Sequence, residues 1–125
     1  MHITRKSDYP EKLFTPDGEI IQEILGLAAS QTKSHSLAKI TIEPGKGSAR
    51  HFHKESEESY LILSGKASIM IDDHQFSLSA GEAILIEANE VHQIANNTDQ
   101  NLIFLAVCVP AWRPDDSFEV GLREE

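Results

Sequence analysis

The chain has 125 residues, enough for one domain with one hydrophobic core, because domains of about 100 to 150 residues are the commonest size. Its composition is 40% hydrophobic and 25% charged, which is typical of a folded globular protein and excludes wholesale disorder. The net charge of −9 repels nucleic-acid phosphates and anionic membranes, so nucleic acid and membrane surfaces are not expected partners.

The sequence also indicates a cellular compartment. No apolar run approaches the roughly 20 residues needed to span a bilayer, and the longest candidate is residues 102–110. Polar residues at positions 4–8 interrupt any secretory hydrophobic region near Met1. The single cysteine, Cys108, has no partner for an internal disulfide. The sequence therefore predicts a soluble cytoplasmic protein.

The N-terminal third of the chain predicts an arm and two candidate strands. Residues 1–18 contain two prolines and a Pro-Asp-Gly turn signal, which favour an irregular segment with one short strand. Residues 19–27 are compatible with either a strand or a short helix, and residues 28–36 predict a loop. Residues 37–43 alternate so that Ile40 and Ile42 face one side, which predicts a strand.

Short strands continue to residue 109. They are separated by turn residues, including a hairpin turn at residues 72–74, and no long amphipathic helix interrupts them. This pattern is typical of an all-β sandwich or barrel. After Pro110 the tail becomes polar, and residues 118–122 are expected to pack back onto the barrel. The predicted strands are residues 60–63, 67–71, 75–78, 83–86 (short and buried), 92–95 and 102–109.

A histidine pair and a nearby carboxylate have the spacing of metal ligands. His51 and His53 stand two apart, so on an extended strand their side chains leave the same face. A turn at residues 54–56, followed by renewed alternation, places Glu58 on one face and Glu57 on the other. One carboxylate can therefore join the two histidines at one ion.

These residues resemble the first signature motif of the cupin superfamily, and a later run resembles the second. The first motif reads Gly, five residues, His, one, His, three or four, Glu, six, Gly, and it is filled by Gly45, His51, His53, Glu58 and Gly65. The second reads Gly, five residues, Pro, one, Gly, two, His, three, Asn. Gly81, His92 and Asn96 fit it, whereas Glu87 replaces the usual Pro and Asn89 the usual Gly.

The departure at Asn89 is one that the backbone tolerates. Asparagine adopts the left-handed region more readily than most residues, so we expect the turn before His92 to be kept. Glu87 leaves the shape of the pocket rim open, because it removes a proline but no candidate ligand. The complete first motif is a strong indication of fold and a weak one of reaction.

The resemblance implies the double-stranded β-helix, or jelly-roll barrel, of single-domain cupins, and it favours a strand over residues 19–27. We expect one domain over residues 1–125, with a barrel core over about 36–110, an N-terminal arm over 1–35 and a C-terminal tail over 111–125. Small cupins usually pair through sheet edges and N-terminal arms. We therefore expect a homodimer, in which pairing covers exposed strand edges.

With their side chains directed into a barrel, the candidate ligands converge on one point. Three nitrogens and one oxygen suit Fe, Mn, Ni, Co, Zn or Cu, and a six-coordinate ion would keep two positions for water or substrate. The six-residue count to Gly65 selects Glu58, although the count from His53 also admits Glu57. The alternative is a histidine pair on a solvated strand face. The predicted metal ligands are His51, His53, Glu58 and His92.

Several other residues have two interpretations. Tyr60 shares the face of Glu58 and is the candidate catalytic residue, as proton donor or base, or else an aromatic that fills the barrel. Asn96 could orient ligands or cap the following turn. Cys108, in an apolar run, predicts a buried small side chain rather than a reactive thiol. Trp112 could close one mouth of the barrel or anchor the tail. Exposed positions without a role are expected for His2, His35 and His74.

Two functions stay open from the sequence. The first is a metal-dependent enzyme, of the dioxygenase or isomerase type, acting on a small organic acid or sugar-like substrate in the barrel. The resemblance also permits decarboxylases and lyases. The second is a non-catalytic binding or sensor cupin with a structural metal. The four-ligand set with Tyr60 nearby favours the enzyme, because a pure binding module can dispense with the ligands.

Overall fold

Two antiparallel β-sheets make up the structure, a computed structural model that describes residues 1–121. The predicted all-β fold is confirmed, since the helical elements found in this range are two single 3-10 turns, Lys6–Asp8 and Pro114–Asp116. The strands are β1 Leu13–Phe14, β2 Glu19–Leu25, β3 Ser36–Ile42, β4 His51–His53, β5 Glu57–Ser64, β6 Lys66–Ile71, β7 His74–Ser79, β8 Ala83–Ile86, β9 His92–Ala95, β10 Leu102–Val109 and β11 Ser117–Glu119.

The two sheets face each other as a barrel. One has six strands in the order β1-β2-β3-β10-β5-β8, and the other has five in the order β11-β4-β9-β6-β7. Strands of both sheets contribute inward side chains to one shared core. This is the double-stranded β-helix that the sequence predicts. No helix among residues 1–121 is long and apolar enough to cross a bilayer.

Alternation along the central strands builds the core. Every second residue of β10 is buried, from Leu102 through Phe104 to Cys108, and β3 buries Ile40 and Ile42 as predicted. Successive side chains of a strand point to opposite faces, so these residues meet across the barrel while their neighbours face outwards. The core residues are Ile40, Ile42, Tyr60, Ile62, Ala67, Ile69, Ile86, Ile94, Leu102, Phe104 and Ala106.

Three details of the predicted elements are settled or corrected. Residues 19–27 form a strand, β2, over most of their length, paired with β3. The prediction of a buried strand over residues 83–86 is wrong in its burial: only Ile86 is buried, and Leu85 is 54% exposed. The reason is that Leu85 lies opposite Ser59 on the outward face of the six-stranded sheet, whereas Ile86 lies opposite the buried Glu58 on the inward face. His74 begins β7 instead of lying in the turn.

The turn before His92 keeps its shape despite the two replacements. Asn89 has a φ of 70°, in the left-handed region, as expected for this position, and its N–H donates to the His53 carbonyl at 2.7 Å. At Glu87 the backbone N–H donates to the Glu90 carboxylate at 2.8 Å. A proline has no N–H and could not make this bond. At position 87 the chain therefore lacks the rigid ring of the usual proline and has a backbone hydrogen bond instead.

The C-terminal tail closes one side of the barrel. Strand β11 pairs with β4, so that Ser117 lies opposite His53. The buried Asp116 carboxylate accepts N–H bonds at 3.0–3.1 Å from the three residues between β4 and β5, which are Lys54, Glu55 and Ser56. The tail thus holds the turn that sets β4 against β5. Of the segment expected to pack back, Leu122 lies outside the described residues.

Candidate metal centre

Three strands bring the four predicted ligands together. His51 and His53 extend from β4, Glu58 from β5 and His92 from β9, where His92 lies directly opposite His51. One ligand atom from each residue lies within 4.8 Å of all the others. The alternative of a solvated strand face is wrong, because His53, Glu58 and His92 are buried. Glu57 is exposed and lies outside this group.

Each histidine is oriented by a backbone carbonyl. The Nδ1 atoms of His51, His53 and His92 lie 2.8, 3.1 and 2.9 Å from the carbonyl oxygens of Ala49, Asp116 and Glu90. A carbonyl oxygen only accepts, so each Nδ1 must carry the proton and donate it. In the neutral ring the other nitrogen, Nε2, then keeps its lone pair. All three rings are therefore prepared to present Nε2 as a ligand.

The Glu58 carboxylate occupies the centre of the cluster. Its Oε1 accepts a hydrogen bond from the Tyr60 hydroxyl at 2.8 Å and lies 3.2 Å from His92 Nε2 and 3.6 Å from His53 Nε2. Its Oε2 accepts from the Cys108 thiol at 3.2 Å. Two neutral donors thus fix the carboxylate and leave Oε1 directed at the histidines.

Charge and burial set the protonation of the cluster. Burial, and then the neighbouring His92, lower the pKa of His51 to about 4, so this ring is neutral near pH 7. Burial disfavours charge on His53 as well, but the Glu58 carboxylate outweighs it and raises the pKa of His53. For Glu58, burial is outweighed by the two histidines, which hold its pKa well below the usual value.

This donor set fits a divalent cation. His53 Nε2 is buried and has no hydrogen-bond partner among residues 1–121. A buried polar atom without a partner costs about 1–3 kcal/mol, and an ion that accepts its lone pair removes that cost. Three imidazole nitrogens and one carboxylate oxygen are ligands that first-row transition ions accept.

A cavity of about 260 Å³ extends from the cluster towards β2. His51, His53, Glu58 and Tyr60 line it at one side, and apolar side chains such as Ile21 line its walls. The volume suits a small molecule. A small molecule in this cavity would lie beside His51, His53 and Glu58, three of the four predicted metal ligands.

Tyr60 is buried, and its contacts agree with filling of the barrel and are compatible with the predicted proton donor. Its ring packs on Phe104, with centroids 4.8 Å apart, so it fills the barrel. Its hydroxyl reaches the cluster through Glu58. Burial, and then the Glu58 charge, raise the pKa of Tyr60 well above its usual value, which favours the proton donor over the base. Its catalytic role stays a prediction.

Asn96 does not take part in the centre. Its buried side chain donates to the Ile42 and Gln100 carbonyls and accepts from Thr98, so it caps the turn after β9, the second of the two predicted roles. Trp112 lines the cavity. The backbone N–H of Trp112 donates to the Ser36 hydroxyl at 2.9 Å, which anchors the tail. The exposed positions expected for three further histidines are confirmed for His2, His35 and His74.

Comparison with known proteins agrees with this geometry. The family model described as the cupin domain matches residues 38–108, more than half of the chain. This chain belongs to the cupin family. The resemblance noted in the two motifs is thereby confirmed.

Three matches cover between 74% and 92% of this chain. An uncharacterised protein of Methanocaldococcus jannaschii is 30% identical over 92% of this chain and 92% of its own. An oxalate-binding protein of Thermotoga maritima is 28% identical over 74% of this chain and 77% of its own. A crystal structure of a predicted oxalate decarboxylase from Thermotoga maritima has 25% identity and a TM-score of 0.73, and covers 87% of this chain and 99% of that one.

Three residues near the metal centre of this cupin make contacts that the sequence did not indicate. The Cys108 thiol, predicted as buried, also binds Glu58. Asp116 anchors the turn between the ligand strands and supplies the carbonyl that orients His53. Glu19 lines the cavity. Alternation along β10 could have placed Cys108 on the inward face, but nothing local to Asp116 or Glu19 indicates these long-range contacts.

Proposed function

We propose that this cupin binds one divalent transition-metal ion through His51, His53, Glu58 and His92, and that it is a metal-dependent enzyme acting on a small molecule in the adjoining cavity. The observation that carries the proposal is the orientation of the histidines. Each Nδ1 donates to a backbone carbonyl, so three Nε2 lone pairs converge on the Glu58 carboxylate. Lone pairs directed at an anion are unfavourable unless a proton or a cation lies between them.

The reaction class within this proposal is oxidative or isomerising chemistry, of the dioxygenase or isomerase type. A bound ion supplies Lewis acidity or, if it is redox-active, dioxygen activation. The residues supply the rest: Glu58 is held by Tyr60 and Cys108, and apolar side chains line part of the adjoining cavity. Tyr60 is the proposed proton donor, because its hydroxyl already donates within the cluster.

The alternative function is a non-catalytic module that binds a small molecule, with the metal as a structural element. The similarity to an oxalate-binding protein favours this alternative, because that name describes binding rather than turnover. The similarity to a predicted oxalate decarboxylase favours the enzyme. Both names indicate small oxygen-rich ligands for the relatives.

Elemental analysis tests the metal centre directly. The protein, purified without added metal and without an affinity histidine tag, is expected to hold about one Fe, Mn, Ni, Co, Cu or Zn per chain. The His51→Ala, His53→Ala double variant should hold none. A matched control is His35→Ala with His74→Ala, which removes two exposed histidines and should keep the metal. Absence of metal from the wild type, even after each ion is added back, would contradict the proposal.

A turnover screen separates the enzyme from the binding module. The metal-loaded protein is incubated with small organic acids and sugar derivatives, with and without dioxygen, and products are sought for every compound that binds. Product from at least one of them, lost in the double variant, supports the enzyme. Tight, metal-dependent binding without product from any compound would favour the binding module.

A homodimer, and a location in the cytoplasm, stay predictions. An apolar outer face of the six-stranded sheet supports the dimer: Leu61 is 39%, Leu85 54% and Val109 45% exposed on neighbouring strands. Light scattering should give twice the chain mass of 13.9 kDa. Leu85→Glu should shift the mass towards one chain, whereas Met70→Glu, on the outer side of the other sheet, should not. A single-chain mass for the wild type at micromolar concentration would refute the dimer.

A further inference from the structure

The walls of the cavity carry an unbalanced charge. Among the residues within 1–121 that line it, none is a lysine or an arginine. Acidic residues are frequent there, and they lie on β2, β5, β11 and the N-terminal arm. The acidic lining residues are Glu11, Asp17, Glu19, Glu23, Glu58 and Glu119. Apart from the histidines and an ion bound to them, the lining offers a ligand no positive charge.

Most of these carboxylates are not free to meet a ligand. Glu58 is held within the histidine cluster, and Glu23 accepts two backbone N–H bonds, from Ala28 at 2.9 Å and Ala29 at 2.7 Å. The side chains of Glu11, Asp17 and Glu119 are exposed at the rim, where water and salt screen their charge.

Glu19 is the exception. It begins β2 opposite the fully buried Ile42, so its side chain extends from the inward face of the sheet into the cavity. Its backbone N–H donates to Thr15, but none of the side-chain hydrogen bonds found among residues 1–121 uses its carboxyl group. The Glu19 carboxyl is therefore available to a ligand inside the cavity.

The surroundings of Glu19 already disfavour negative charge. Burial, followed by the charges of Glu58 and Asp17, raises its pKa to about 7, with His53 opposing the shift. A second anion brought into the same space would meet the same repulsion. A hydroxyl or ammonium group would instead donate a hydrogen bond to the Glu19 carboxylate and stabilise its negative charge.

Building on the proposed function, we propose that the cavity takes an uncharged or cationic small molecule, with hydroxyl or amino groups on a short carbon frame, and that Glu19 determines this specificity by excluding dianions. The side chain of Glu19 contacts the part of the ligand that does not reach the four metal ligands. The apolar walls, which include Ile21 and Ile40, contact its carbon atoms. On this basis the ligand of this cupin differs in charge from oxalate.

Calorimetric titration of the zinc-loaded protein at about pH 8.5, where Glu19 is ionised because its pKa is about 7, tests the specificity. Oxalate, glycolamide and ethanolamine share a two-carbon frame and differ in charge. Glu19→Gln should raise the affinity for oxalate about tenfold and leave glycolamide within about twofold, because one negative charge is lost from the cavity at nearly constant volume. Ethanolamine should bind less tightly to this variant. Glu19→Asp, which keeps the charge, should resemble the wild type.

The matched control is Glu119→Gln, which removes the same charge from the exposed rim. It should change every affinity by less than about twofold, because exposed charges are screened. An oxalate affinity that Glu19→Gln leaves unchanged, or that both variants raise equally, would overturn the proposal.

Fluorescence quenching gives a second test that needs no metal. Trp112 is the single tryptophan and lines the cavity, so its emission reports which solutes enter. In metal-free protein, the ratio of quenching by iodide to quenching by caesium should rise at least twofold in Glu19→Gln and stay constant in Glu119→Gln. Equal ratios in the two variants would refute the role of Glu19. Failure to bind zinc would refute the metal proposal alone, because this ratio is measured without it.

Discussion

The two halves of the barrel interior differ in chemistry although the same strands build both. Along β5 and β10 the paired inward residues change from Glu58 and Cys108, through Tyr60 and Ala106, to Ile62 and Phe104. We call the end with the histidine cluster the polar half and the end around Phe104 the apolar half. One strand pair therefore contributes to the candidate metal centre at one end and to the packed core at the other.

The difference teaches where stability and chemistry reside. The apolar half buries large side chains without polar atoms, and this burial is the main favourable term in folding. The polar half buries charges and keeps them by hydrogen bonds and by charge pairing, which at best offset the cost of desolvation. Substitutions in the two halves should therefore change different measured quantities.

The largest stability effect is expected in the apolar half. Phe104→Ala should lower the free energy of unfolding by about 3–5 kcal/mol in urea titrations, because it leaves a cavity in a fully buried site. The metal content of the folded fraction should not change. Phe76→Ala, on a 48% exposed residue of β7, is the matched control and should cost well below half as much. Loss of metal together with stability would show that the halves are not independent.

An intermediate effect is expected at the tail, where Asp116→Ala removes the acceptor of three backbone N–H groups. Unfolding should become easier by about 2–3 kcal/mol at pH 7. Burial favours the neutral acid, but these N–H bonds outweigh it and lower the pKa of Asp116 below its usual 3.8. The stabilisation is therefore complete above about pH 4 and is lost as the pH falls through the lowered pKa.

The difference in free energy of unfolding between wild type and Asp116→Ala should accordingly become smaller when the urea titration is repeated near pH 2. Asp115→Ala serves as the control, since Asp115 is exposed and its ion pair with Arg113 lies at the surface. A difference between wild type and Asp116→Ala that stays constant with pH would mean that the carboxylate is not the stabilising group.

The smallest effect is expected in the polar half. Tyr60→Phe removes the hydroxyl that donates to Glu58 and should lower the free energy of unfolding by about 1–2 kcal/mol, with the ring packing on Phe104 retained. Metal stoichiometry should stay at one per chain. Tyr9→Phe, at the only other tyrosine, should be neutral within about 0.5 kcal/mol. Complete loss of metal in Tyr60→Phe would make the hydroxyl part of the binding site itself.

Local sequence patterns were sufficient for most of the strands and for which ligand residues converge. Alternation placed Ile40 and Ile42 on one face and separated Glu58 from Glu57, because the two-residue period of a strand is set by its own backbone. The motif count to Gly65 then selected Glu58, and the resemblance added His92. The glycine that ends the first motif has one local and one long-range reason. Gly65 has a φ of 83°, and a Cβ there would lie 2.5 Å from the Asn101 carbonyl oxygen.

Features that depend on strand pairing and on long-range contacts could not be predicted from local sequence patterns. Leu85 was expected to be buried, but it faces outwards, a direction that is set by the pairing of β8 with β5. The contact of Cys108 with Glu58 joins residues 50 apart, and that of Asp116 with Glu55 joins residues 61 apart. The inward direction of Glu19 depends on the register of β2 with β3, which the sequence of β2 alone does not give.

The pairing of β11 with β4 has a consequence for biosynthesis. Chains leave the ribosome from the N-terminus, so all four ligand side chains emerge before β10 and β11 emerge. At that stage Glu58 lacks the Cys108 thiol, and His53 lacks the Asp116 carbonyl that orients its ring. A nascent chain released only as far as His92 thus has the carbonyls that orient His51 and His92, but lacks these contacts to His53 and Glu58. Ion uptake is therefore expected to follow, rather than to guide, closure of the barrel.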